Sequence, residues 1–99
     1  MIVVFTDAAE RDIEHIGDYI ACDNPARAGT FVRELIDRCE RLAQSPHAFP
    51  LVPRYAHAGV RRRPYKGYLI FYRIGSGRIE ILHILNGVQD YDAILFPET

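Results

Sequence analysis

The chain has 99 residues, 48% of them hydrophobic, with a formal charge of −1, which is enough for one ordinary core and too little for a second domain. The near-neutral total argues against a general nucleic-acid binder or a membrane-surface protein, and no apolar run approaches the ~20 residues of a membrane helix. The total conceals a segmented pattern: residues 1–40 hold nine acids and four bases, residues 41–79 eight bases and no acid, and residues 80–99 four acids and no base.

Ile2 to Phe5 is a short apolar, β-branched run suited to a strand covered on both faces. Thr6 and Asp7 offer N-cap oxygens, and Asp7 with Glu10 has the form of a capping box. The helix that follows places Ala9, Ile13, Ile16, Gly17 and Ile20 on one face and Glu10, Arg11, Glu14 and Asp18 on the other. Asp23-Asn24-Pro25 interrupts it and starts a second helix, because Asn caps well and Pro suits the first helical position. Ala28, Phe31, Val32, Leu35, Ile36, Cys39, Leu42 and Ala43 keep helical rhythm until Ser45-Pro46 ends it. So short a link predicts an antiparallel helical hairpin.

Pro46, Pro50 and Pro53 make the next segment a surface connection, partly of polyproline type. Gly59 to Tyr65, Tyr68 to Ile74 and Arg78 to Leu85 read as strands, with breaks at Pro64, Lys66-Gly67 and Gly75-Ser76-Gly77. A two-residue loop at Ser76-Gly77 sets Arg73 opposite Glu80, Ile74 opposite Ile79, Tyr72 opposite Ile81 and Phe71 opposite Leu82. Both faces of these strands are largely apolar, which predicts helices on one face and the tail or a partner on the other. The fold class is α+β, in the order β-α-α-β-β-β: a helical hairpin packed on a small, mainly antiparallel sheet, in a single domain over residues 1–99.

Cys22 and Cys39 match no zinc or CxxC spacing, and the N-terminus carries no basic region of a secretory signal, so reduced thiols in a cytoplasmic protein are expected. His15, His47 and His57 have no ligand spacing, and no phosphate loop or nucleophile elbow is present. No metal, cofactor or small-molecule substrate is expected.

Several phrases, in order, resemble the ParE branch of the RelE/ParE toxin superfamily. They are Phe5-Thr6-Asp7-Ala8-Ala9 with Asp12-Ile13, Tyr19-Ile20 with Asp23-Asn24-Pro25 and Ala28, and Leu42-Ala43-Gln44-Ser45-Pro46. Further on come Gly59-Val60-Arg61, Tyr68-Leu69-Ile70-Phe71-Tyr72-Arg73, Ile79-Glu80-Ile81-Leu82 and Gly87 with Asp90. The resemblance spans essentially the whole chain. It implies a RelE/ParE-like fold and a bacterial type II toxin that inhibits DNA gyrase by binding. It also implies a ParD-like antitoxin with a ribbon-helix-helix DNA-binding end and a flexible segment that folds onto the toxin. Three positions depart from the pattern: Asn86 stands where His is common, Gln89 where Arg is common, and His83 where Arg is frequent.

Candidate binding residues are Arg61, Arg63 and Lys66 in the carboxylate-free segment, with Arg73, His83, and Leu95 and Phe96 of the C-terminal apolar patch. Arginine suits bidentate contacts to carboxylate or phosphate. The plainer account of the Arg61-Arg62-Arg63 triplet is a solvated strand edge whose charges discourage aggregation, and alternation sends Arg62 to the opposite face. Two other functions stay open. In a RelE-like mRNA endonuclease, Arg61 and Arg73 would bind phosphate and His83 or Tyr91 would move protons. A degenerate toxin, suggested by Asn86 and Gln89, would retain only antitoxin binding.

Overall fold

In the computed structural model, which describes residues 1–95, the opening run is strand β1 (Ile2–Phe5). It is an outermost strand and is not covered on both faces, with Ile2 67% exposed. Helix α1 (Asp7–Ala21) is capped by Thr6, whose hydroxyl accepts the Ala9 N–H at 3.1 Å. Asp7 and Glu10 therefore lie inside the first turn, where carboxylates suit the positive end of the helix dipole. Helix α2 (Pro25–Glu40) starts as expected, with Asn24 Oδ1 accepting the Arg27 N–H at 3.1 Å and Pro25 in the first turn. It ends at Glu40 and tightens into a 3₁₀ turn at Arg41–Ala43. The two helices approach closely at Gly17, where a Cβ would stand 3.2 Å from Val32 Cγ2.

Strands β2 (Arg61–Tyr65), β3 (Tyr68–Gly75) and β4 (Arg78–Asn86) complete a four-stranded sheet of order β1-β4-β3-β2. β1 runs parallel to β4 and the other pairs are antiparallel. Both hairpins turn on two residues with positive φ, Lys66 (45°) with Gly67 (85°) and Ser76 (52°) with Gly77 (74°), the backbone that matches strand twist. Arg73 faces Glu80, Ile74 faces Ile79 and Tyr72 faces Ile81, as the loop predicts. Phe71, however, faces His83 instead of Leu82, because β4 carries an irregularity there. The Thr6 hydroxyl fixes it: Oγ1 lies 2.9 Å from the Ile81 carbonyl and 3.1 Å from that of Leu82, so its proton is shared between them.

The sheet is apolar on both faces, and each face has its own core. Between the sheet and the helices, Phe31 and Leu35 of α2 pack with Tyr72, Ile79, Ile81 and Ile84 of β3 and β4. The second face buries Val52, Tyr55, Val60, Phe71 and Leu85, each worth ~1.5–3 kcal/mol of transfer free energy when fully buried. Its cover comes partly from the proline-rich segment, which is not merely a surface connection. Pro53–Ala58 forms two short 3₁₀ turns that meet at a kink at Tyr55 (φ −120°, ψ 22°) and end at Gly59 with φ 73°, and Val52 and Tyr55 are buried. The rest comes from the tail, which forms a short helix α3 (Tyr91–Leu95).

Three sheet-edge positions are closed within the chain. Arg62 N–H donates to the Pro50 carbonyl at 3.2 Å. Pro64, two residues on, faces the same way and has no N–H, so this proline sits within an edge strand without costing a ladder bond. Where β4 runs past the end of β1, Ile84 N–H donates to Asp12 Oδ2 and Asn86 N–H to Gln89 Oε1, each at 2.9 Å.

Candidate functional site

β2 and its turn bring Arg61, Arg63 and Lys66 together on the helix side of the sheet, where α2 adds Arg27 and Arg38. Tyr65 is the hub. Its ring receives the Arg38 guanidinium at 4.9 Å, the Lys66 ammonium at 5.4 Å and the Arg63 guanidinium at 5.6 Å. Arg63 also lies 4.9 Å over the Phe49 ring. The Tyr65 hydroxyl donates to Glu34 Oε1 at 2.7 Å, and Glu34 further accepts from Arg27 at 2.8 Å and Lys66 at 3.3 Å. The Arg27 hydrogen bond, then that of Tyr65, holds the Glu34 carboxyl down at about 2. Arg38 is paired with Asp37 at 2.7 Å.

The arginine triplet is held differently. Arg61 donates to the Phe49 carbonyl at 2.7 Å and Arg62 to the Tyr91 hydroxyl at 3.2 Å, while Arg63 donates to its neighbour's carbonyl at Pro64. Among the described residues no carboxylate pairs with any of the three. Their orientation is fixed by dipoles and rings, and their charge is left uncompensated.

Arg73, His83 and Leu95 lie elsewhere, around a cavity of about 260 Å³ on the second face that Thr6, Val60 and Leu82 also line. Arg73 Nε donates to Glu80 Oε1 at 2.8 Å, and this bond lowers the Glu80 pKa. His83 Nδ1 is 2.7 Å from Asp12 Oδ2. A carboxylate only accepts, so Nδ1 carries the proton and the ring is oriented by α1. Leu95 is half-buried against the second core, and Phe96 lies outside the described residues.

The seven expected residues thus divide into a basic edge of three, a second-face cavity of three, and one not described. Arg61 and Arg73 project to opposite faces, Arg61 toward Phe49 and Arg73 toward Val60, so they do not grip one phosphate together. Tyr91 packs against Phe71 with its ring tilted by 41° and the centroids 5.0 Å apart, a packing role. Asn86 and Gln89 build the turn that ends β4, with Asn86 Oδ1 accepting the Val88 N–H at 3.0 Å. Asp12 and Glu34 were missed by sequence reasoning. A signal existed, since Asp12 falls at helical spacing from Ala9 and Ile16, and Glu34 from Phe31: acids beside an apolar stripe need a partner inside the fold. Among the described residues no group of three or more His, Cys, Asp or Glu could hold a metal ion, and no helix is long and apolar enough to cross a membrane.

A family model described as the ParE toxin of the type II toxin–antitoxin system parDE matches residues 3–91. Among solved structures, a chain of the chromosomal ParDE toxin–antitoxin system from P. aeruginosa is similar at a TM-score of 0.74 and 22% identity, over 87% of this chain and 95% of that one. A chain of the toxin–antitoxin complex RelBE2 from Mycobacterium tuberculosis is similar at a TM-score of 0.64 and 21% identity, over 86% and 95%. At these identities the structures speak for the fold. No curated protein matches the sequence.

Proposed function

This chain belongs to the ParE toxin family of type II toxin–antitoxin systems, and from that premise we propose that it acts by binding, inhibiting DNA gyrase, and is neutralised by a ParD-like antitoxin. The observation that carries the reading is the arginine triplet on β2: three cations with fixed directions and no carboxylate partner among the described residues. Such a group attracts an acidic protein segment or DNA phosphates held by a target. Arg61, Arg63 and Lys66 form the main contact, with Arg73, His83, Leu95 and Phe96 on a second surface. No step of bond making is needed, and the protein works in the cytoplasm, where gyrase and its DNA are.

The test is direct. Purified protein is added to gyrase supercoiling and DNA-cleavage assays, and cleaved DNA complexes are expected to accumulate. Normal gyrase activity at excess protein would remove the gyrase target. One observation favours a second reading, a RelE-like endonuclease: the Asp12–His83 pair beside Arg73 resembles a base held by its orienting carboxylate. Against it stands the separation of Arg61 from Arg73. Translating ribosomes incubated with the protein decide between them, since site-specific mRNA cuts lost in His83→Ala would establish the enzyme. Growth arrest on expression without antitoxin would exclude a degenerate toxin.

A further inference from the structure

Arg61 and Arg63 are both held by one residue of the proline-rich segment. Arg61 Nη1 donates to the Phe49 carbonyl at 2.7 Å, and the Arg63 guanidinium lies 4.9 Å over the Phe49 ring. Phe49 thus fixes one arginine by its backbone and the other by its side chain. What fixes Phe49 lies a layer deeper. Tyr72 of β3 is fully buried and stands directly opposite Arg61 in the β2–β3 register, on the same face of the sheet. Its hydroxyl donates to the Pro46 carbonyl at 2.8 Å and receives a backbone hydrogen bond from Phe49. One phenol oxygen therefore ties down both ends of the turn from Pro46 to Phe49.

Among the described residues, both hydrogen bonds of that hydroxyl go to the turn and neither goes to the helices or the sheet. Burial pushes the group up from its ordinary value, so it stays protonated and keeps donating, and the charges of Arg61 and Arg63 both act on it from nearby. The three side chains and the turn form one unit. Arg63 has a second support in the Tyr65 ring at 5.6 Å, whereas Arg61 depends on the Phe49 carbonyl. An arginine that is fixed beforehand loses less freedom when an anion binds, which is worth about two- to tenfold in affinity per side chain.

We propose that Tyr72 is the positioning residue of the arginine edge: through the Pro46–Phe49 turn it sets the directions of Arg61 and Arg63, and those directions set how long the anionic groups of the target stay bound. This rests on the gyrase-binding reading above and deepens it. Charge brings the target in, and alignment holds it. The first shows in the association rate and weakens with salt, while the second shows in the dissociation rate.

The experiment uses two variants of the full chain that leave every charge in place. Tyr72→Phe keeps the ring and removes the hydroxyl, and Phe49→Leu keeps the carbonyl and removes the ring. Nitrogen relaxation of the arginine Nε–Hε groups is measured in the free protein by NMR. Tyr72→Phe is expected to loosen both arginines, Arg61 more than Arg63, and Phe49→Leu to loosen Arg63 alone. Stopped-flow against gyrase bound to DNA gives the second readout: dissociation is expected to speed up about tenfold in Tyr72→Phe and about threefold in Phe49→Leu, with the association rate and its salt dependence unchanged. Nε–Hε groups as ordered as before in both variants, even with a lowered thermal midpoint, would make Tyr72 merely structural and overturn the proposal. Loosened arginines with unchanged dissociation, or a slowed association instead, would overturn it too, since charge alone would then set the binding. If the unaltered protein does not bind gyrase, the gyrase target falls, and the relaxation data by themselves uphold or overturn the hold of Tyr72 on the two arginines. Should Tyr72→Phe fail to fold, the unequal effect of Phe49→Leu on Arg63 and Arg61 decides.

Discussion

The two outer strands of the sheet meet solvent by different means. β2 is tied down: a proline carbonyl takes its outward amide, Pro64 removes another, and five cations gather over or beside Tyr65 and Phe49. β1 is short, carries no base, and among the described residues its outward backbone groups at Val3 and Phe5 have no partner, beside an apolar notch. One edge is thus structurally closed and electrostatically open, and the other is the reverse. The difference teaches that edge protection and charge need not coincide. Where the backbone is already blocked, arginines are free to serve recognition, since they are not needed to keep other strands away.

The largest effect that would break this contrast is on stability. Tyr65 is buried, stacks on Phe31 at 6.1 Å and holds the cations in place. Tyr65→Ala is expected to cost about 3–5 kcal/mol in urea unfolding, whereas Phe5→Ala on half-buried β1 should cost about 1–2 kcal/mol. Equal losses would mean that β1 is as structural as β2. Next comes Arg61→Glu combined with Arg63→Glu. Association with the antitoxin or gyrase, followed by stopped-flow, should slow about 100-fold at low salt, with the gap narrowing as salt rises. Salt-independent loss would point to damaged packing instead.

How much of this was legible follows from the range of the interactions. Helix caps, the two-residue loops and the Arg73–Glu80 pair are local or depend on simple periodicity, and the sequence carries them openly. The position of Phe71 against His83 was not legible, because it depends on a threonine 76 residues away from Leu82 reaching a carbonyl of the last strand. The burial of Tyr55 was hidden by the neighbouring prolines, which are turn signals in general, but here Pro53 opens a pair of 3₁₀ turns over an apolar sheet face. The basic cluster was legible as a run of charge on β2. The contribution of Arg27 and Arg38 was not, since only the packing of α2 on the sheet brings them to Tyr65 and Glu34.

Two smaller predictions sharpen the comparison. Asp12→Ala strips the partner from the Ile84 amide and is expected to cost about 1–3 kcal/mol, with faster hydrogen exchange at Ile84. If stability is unchanged, β4 does not need its edge closed. The smallest effect is in acid. The Glu34 carboxyl sits at about 2 when folded against 4.5 as an ordinary side chain, so its contribution to stability is complete above about pH 4.5 and is lost as pH falls toward 2. Glu34→Gln should flatten that part of the stability profile measured by thermal unfolding, and an unchanged slope between pH 4.5 and 2 would show that the cations over Tyr65 do not depend on it.

The parallel pairing of β1 with β4 has a consequence for the chain while it is being made. Thr6 caps α1, yet its hydroxyl also holds the Ile81 carbonyl, 75 residues further on. At about 5–20 residues per second, the ribosome needs roughly 4–15 s to supply that partner. Throughout this interval β1 has neither neighbour, and both its edges are available.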